Sequence, residues 1–176
     1  MKVILTISIL FFLSVLLCAC PYSSPYSLDE KSNIYVEDTL LGNWAVFLMK
    51  PSGKEVPIKM ILSKKTNTEY NIAFTGQLDE LKPFRVVYKD SVTGTAFMST
   101  VAGKQFLNIT IKGTNYIAEL KLSNDKLSLL PIAEHFTSKM IHNNVELRNS
   151  LEFHCRTRVH PIYDEDFSLI EMVRVN

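Results

Sequence analysis

Apolar residues follow two different patterns along the chain. From Val3 to Leu17 they form one uncharged fifteen-residue run, VILTISILFFLSVLL, behind the single cation Lys2. From about Ile34 onward they alternate with polar residues instead. Side chains two positions apart share one face of a strand. Trp44, Val46 and Leu48 are therefore co-facial, as are Ile58, Met60 and Leu62, then Tyr70, Ile72 and Phe74, and then Phe84, Val86 and Tyr88. TAFMSTV, FLNITIK, YIAELKL and KLSLL continue the pattern, with turn signals at Gly103 in AGKQ and at Asn124 and Asp125 in SND. Eight strands are predicted, with no crossover helix between them, so the sheet is antiparallel.

After Pro131 the period changes. Ile132, Phe136 and Met140 recur every four residues and predict a helix over about 132–141. NSLEFHCRTRVHP reads two ways. Leu151, Phe153 and Cys155 alternate like a strand, whereas Ser150 followed by Glu152 looks like a helix start that ends before Pro161, and the helical reading is preferred. The closing FSLIEMVRV is again a strand. The expected fold is mostly β with minor α: an antiparallel barrel or strongly curved sheet of eight to nine strands, plus one or two C-terminal helices. Closure is expected because it removes exposed edges.

The first run is marginal for a membrane-spanning helix, which needs roughly 20 apolar residues, and it has the length of a secretory signal, so a cleaved signal is preferred over a transmembrane helix. It ends in Leu17-Cys18-Ala19-Cys20, with small residues at both positions before Cys20. This boundary resembles the lipobox of bacterial lipoproteins. The resemblance implies cleavage between Ala19 and Cys20, diacylglycerol on the Cys20 thiol and acylation of its new amino group. Cys18 is a poor rival because Leu17 would stand where the motif wants a smaller residue. An ordinary secretory signal, cut after Ala19 or Cys20, is the alternative, although Pro21 would hinder the later cut. In the lipoprotein family an Asp after the Cys often marks inner-membrane retention. Pro21 in its place points to the outer membrane, facing the periplasm.

Removing residues 1–19 leaves 157 residues, with 18 basic groups against 18 acidic ones once Lys2 is gone. That length suits one domain. A near-zero charge offers no basic face for nucleic acid. Cys155 then stands far from the N-terminal cysteines, so no disulfide framework staples the domain. PYSSPYSLDEKSN, residues 21–33, has no periodic apolar residues and reads as a flexible tether reaching up to roughly 40 Å. The expected organisation is a signal at 1–19, a lipidated Cys and tether at 20–33, and a β domain at 34–176.

Within that domain DTLLGNW puts Gly42 and Trp44 in the Gly-x-Trp arrangement that opens the first strand of lipocalins, and Thr114–Tyr116 echo the family's Thr-Asp-Tyr. The chain thus resembles lipocalin-like domains of bacterial lipoproteins. The resemblance implies a small lipophilic ligand in the barrel, with Trp44, Tyr70, Phe74, Tyr88 and Tyr116 as ligand-binding candidates and Phe84 beside them. The alternative is an envelope structural or protein-interaction role with a solid core. Lipocalins pack an Arg from the eighth strand over the Trp, and KLSLLPI has none. Arg174 in the last strand is the candidate replacement, completing a structural set with Gly42 and Trp44.

Signals for catalysis are sparse. The six glycines form no phosphate-binding loop, and neither a nucleophile elbow nor a paired-histidine zinc motif occurs. His154, Cys155 and His160 are the nearest to a nucleophile site, but neighbouring side chains diverge, and a buried inert thiol is the preferred reading. His135 and His142 would lie about 10 Å apart on a helix, too far to share one metal ion, even with Glu134 beside them. Asp164–Asp166 lack the spaced carboxylates of a calcium loop and read as a charged turn. No enzyme activity, cofactor or metal is expected.

Overall fold

The computed structural model describes residues 22–49, 55–76, 78, 91–157 and 161–175. Its strands are β1 (Ser23–Ser24), β2 (Gly42–Met49), β3 (Glu55–Lys64), β4 (Tyr70–Gly76), β5 (Ser91–Val101), β6 (Lys104–Ile111), β7 (Thr114–Ser123), β8 (Lys126–Pro131) and β9 (Leu169–Val175). One helix, α1 (Asn144–Thr157), lies between β8 and β9. Strands β2 to β8 form an antiparallel meander. β9 then pairs with both β8 and β2, closing an eight-stranded barrel with β1 added outside it on β7.

Three hairpins follow from backbone chemistry. Their two-residue turns are Ala102–Gly103, Lys112–Gly113 and Asn124–Asp125, and all six residues have positive φ between 49° and 81°. Type I′ turns require that geometry, and their twist matches the strands they join.

Alternation sends one face of each strand inward. In β3 Val56, Ile58, Met60 and Leu62 are buried, while Glu55, Pro57 and Lys59 are exposed. They join Trp44, Tyr70, Ile72, Phe74, Met98, Leu107, Leu120, Leu127 and Met172 in one interior cluster. β6 breaks the alternation, because Phe106 and Asn108 are buried on its outer face as fully as Leu107 is on its inner one. A second cluster explains this. Val101, Phe106 and Ile117 on the outer wall pack with Leu28, Ile132, Phe136, Leu147, Leu151 and Cys155.

The sequence expectation is met in class and corrected in three details. β4 pairs directly with β5, so the barrel's eighth strand is β9, which comes after the helix. The predicted strand containing Phe84 and Tyr88 lies outside the described residues. The helix expected at 132–141 is absent. Ile132 spends its N–H on the Ile117 carbonyl and its C=O on the Tyr22 N–H, so the chain there stays extended. Phe136 reaches the outer cluster from a turn instead, with its N–H bonded to Ala133. The real helix starts at Asn143-Asn144-Val145-Glu146. The Asn143 side chain accepts the Glu146 N–H at 2.8 Å, and the Glu146 carboxylate accepts the His142 N–H at 2.8 Å. This variant of the capping box begins the helix six residues before Ser150.

The third correction concerns the tether. Residues 22–33 are docked on the barrel. Ser23 and Ser24 pair with Tyr116 and Asn115, Asp29 meets Arg148 at 2.7 Å, and Leu28 is 1% exposed. The anchor of this strap is Asn108, whose Oδ1 accepts the Leu28 N–H at 2.7 Å while its Nδ2 donates to Ser99 at 2.8 Å. Long-range polar contacts and one buried leucine supply what the strap's composition lacks. Replacing Asn108 with Ala leaves the buried Leu28 N–H without its acceptor, and we expect a loss of about 1–3 kcal/mol. Urea unfolding should show it as a lower midpoint at an unchanged slope.

Candidate functional site

The lower end of the barrel is closed by a short 3-10 turn, Asp38–Leu40, leading into β2. The Trp44 indole N–H donates to the Leu40 carbonyl at 2.9 Å, fixing the turn over the interior. Arg174 lies opposite Trp44 in the β2–β9 register, with its guanidinium 4.6 Å from the Trp44 ring centroid. The same group donates to the carbonyls of Leu41 and Thr39, each at 2.7 Å. Gly42 has φ +130°, and a Cβ there would stand 3.0 Å from the Arg174 Nη1. Gly42, Trp44 and Arg174 thus form one closure, with the cation supplied by the last strand.

The aromatic residues expected to line a ligand cavity are engaged in packing. Trp44, Tyr70 and Phe74 are 1%, 0% and 6% exposed, so the interior surface next to them is covered by other side chains. The Tyr70 hydroxyl accepts the Glu37 N–H at 2.9 Å. Burial pushes its pKa up; the hydrogen bond from the Glu37 N–H works against this rise, and the nearby Glu37 and Asp38 carboxylates add to it. Tyr116 is partly buried against the same cluster. Tyr88 and Phe84 lie outside the described residues, as do Ala19 and Cys20.

On the outer wall Glu119 is only 3% exposed, which sequence reasoning missed. Lys104 reaches it at 2.9 Å, Lys121 at 3.3 Å, and the Tyr163 hydroxyl donates to it. Both ammonium groups also sit over the Tyr163 ring, at 5.3 and 5.6 Å. A carboxylate this buried is tolerable only with such partners. Its effect is to pin the β8–β9 connection, through Tyr163, to β6 and β7. An acidic residue between Ala118 and Leu120, in the apolar middle of β7, was the available signal.

Of the nucleophile candidates, Cys155 and His154 lie among the described residues. Cys155 is buried on the inner face of α1, and burial pushes its thiol pKa up, which makes the reactive thiolate scarce. His154 lies edge-on to Phe136 and Phe153, with ring centroids 5.8 and 5.4 Å away. His160 lies outside the described residues. Asp164 is buried before a 3-10 turn, Glu165–Phe167, that leads into β9. Among the described residues no three metal-ligating side chains come together, and no helix is long and apolar enough to cross a membrane.

Outside the barrel, the loop at 135–142 and the outward face of α1 enclose a groove of about 940 Å³. Phe136, Lys139, Met140, His142 and Phe153 line it, together with His135 and Glu146. The expected but absent helix at 132–141 had hidden this feature, since a helix would have filled the space with its own turns. Neither a known family, nor a curated protein, nor a solved structure matches this chain.

Arg174→Met should lower stability by about 1 kcal/mol, the value of an exposed cation–π contact, read as a drop in melting temperature. The raised pKa values of Cys155 and Tyr70 mean that the folded state keeps protons the unfolded chain would release. Their stabilisation is complete below the ordinary thiol pKa of about 8.5 and is lost as pH rises through the folded values. Urea midpoints should therefore fall with increasing alkalinity, and Cys155→Ala should flatten the first part of that fall.

Proposed function

We propose that the protein is a non-enzymatic lipoprotein of the cell envelope. Acyl groups on Cys20 hold it to a membrane, most simply the periplasmic face of the outer membrane. The barrel is a solid scaffold, and contact with another envelope component is made on its outside. One observation carries this reading: Trp44, Tyr70 and Phe74, the residues expected to cradle a ligand, are consumed by interior packing. The buried thiol of Cys155, with its raised pKa, adds support for a role without covalent chemistry.

The Leu17-Cys18-Ala19-Cys20 sequence supports the anchor, since its elements stand in the order and spacing that lipidation requires. Two or three acyl chains give firm attachment where one gives only marginal binding. A small lipophilic ligand inside the barrel is the second reading. The closed eight-stranded barrel and the Gly42-x-Trp44 closure favour it, because barrels of this size either fill themselves or hold one small molecule.

Mass spectrometry of the full chain, isolated from the membranes of a bacterium that produces it, separates these readings. We expect a chain beginning at acylated Cys20, with no lipophilic compound retained when the protein is kept folded. An unmodified N-terminus would refute the anchor. A stoichiometric retained ligand would overturn the solid scaffold in favour of a carrier.

A further inference from the structure

We infer that the groove beside α1 is the face with which the protein rests on a phospholipid surface. This rests on the reading of Cys20 as the lipid anchor. The first described residue, Tyr22, is pinned: its N–H donates to the Ile132 carbonyl at 2.8 Å, and its ring meets Phe136 edge-on at 5.0 Å. Phe136 is itself a wall of the groove. Only Pro21 separates Tyr22 from Cys20. Two residues of fully extended chain span at most about 7 Å, so the Cys20 backbone that carries the acyl groups cannot be farther than that from a docked residue. A long tether would let the barrel turn freely. This one holds a particular side of it against the membrane.

That side has the surface such a position needs. Eight large apolar side chains are exposed among the described residues, and three of them are Met140, Val145 and Phe153, at 80%, 65% and 58%. Met140 and Phe153 line the groove together. Val145, Asn149 and Phe153 follow at four-residue spacing along one face of α1, opposite the buried Leu147, Leu151 and Cys155. Lys139, His135 and His142 stand among them and suit the phosphate groups of lipids, while the Glu146 carboxylate is taken up by the His142 N–H. Exposed apolar side chains beside the Lys139 ammonium and the polar rings of His135 and His142 are the kind of amphipathic surface that lies in a headgroup layer.

The test uses the full, processed chain reconstituted into vesicles of phosphatidylethanolamine and phosphatidylglycerol. Met140→Trp and Phe153→Trp are compared with Tyr35→Trp, whose exposed site lies beside the β3–β4 turn at the other end of the strap. Brominated lipids should quench the new fluorescence at 140 and 153, with a blue shift, above the unchanged contribution of buried Trp44. They should leave Tyr35→Trp unaffected. Intact mass of the same samples reports acylation of Cys20. Acylated protein with no quenching at 140 and 153, or with equal quenching at 35, overturns the docking face while sparing the anchor. Protein without acyl groups on Cys20 overturns both.

Discussion

Pairing of β9 with β2 on one side and β8 on the other is the constraint from which the rest of the structure follows. An open antiparallel sheet would expose two unpaired edges. Here the seven-stranded meander from β2 to β8 leaves a gap, and a strand made from the last residues of the chain fills it. Because that strand must arrive from β8 on the same sheet, the chain between them has to travel outside the barrel. The helix, the groove and the second apolar cluster all occupy that detour.

The two clusters divide the work. The interior one is built from alternating strand residues and is sealed at the end where Arg174 covers Trp44. The outer one has no regular pattern, because it collects residues from the N-terminal strap, from the outer faces of β5, β6 and β7, and from α1. Two polar groups bind it together. Asn108 holds the strap by the Leu28 N–H, and Glu119 holds the returning chain by Tyr163. Both sit on strand faces that would be solvated in a bare barrel. Their burial is tolerated because each is paired within the barrel wall, with Ser99 or with Lys104 and Lys121, and each also fastens one outer segment.

Strand faces were legible because a two-residue period is a local property, visible at Ile58, Met60 and Leu62 or at Tyr70, Ile72 and Phe74. The turn at Asn124 and Asp125 was legible for a similar reason, as few residues accept positive φ. The helix over NSLEFHCRT was legible, whereas the one expected at 132–141 does not form, because Ile132 and Phe136 fall at helical spacing while their partners, Ile117 and Tyr22, are distant in sequence. The strap was misread as a tether since its composition is polar, and a single Leu28 carries no periodicity. Of the candidate site, Gly42, Trp44 and Arg174 were visible as residues, and the groove was not visible at all.

By itself, then, the sequence determined the β class, the inward faces and the hairpin turns. Those depend on neighbours in the chain, where period and turn chemistry act directly. Tertiary structure decided which strand closes the barrel, that Trp44, Tyr70 and Phe74 are packed, that residues 22–33 are docked, and that α1 leaves a groove on its outward face. These depend on contacts between residues as far apart as Leu28 and Asn108 or Thr39 and Arg174. No local pattern encodes such pairs, because their free energy exists only once the chain has closed on itself.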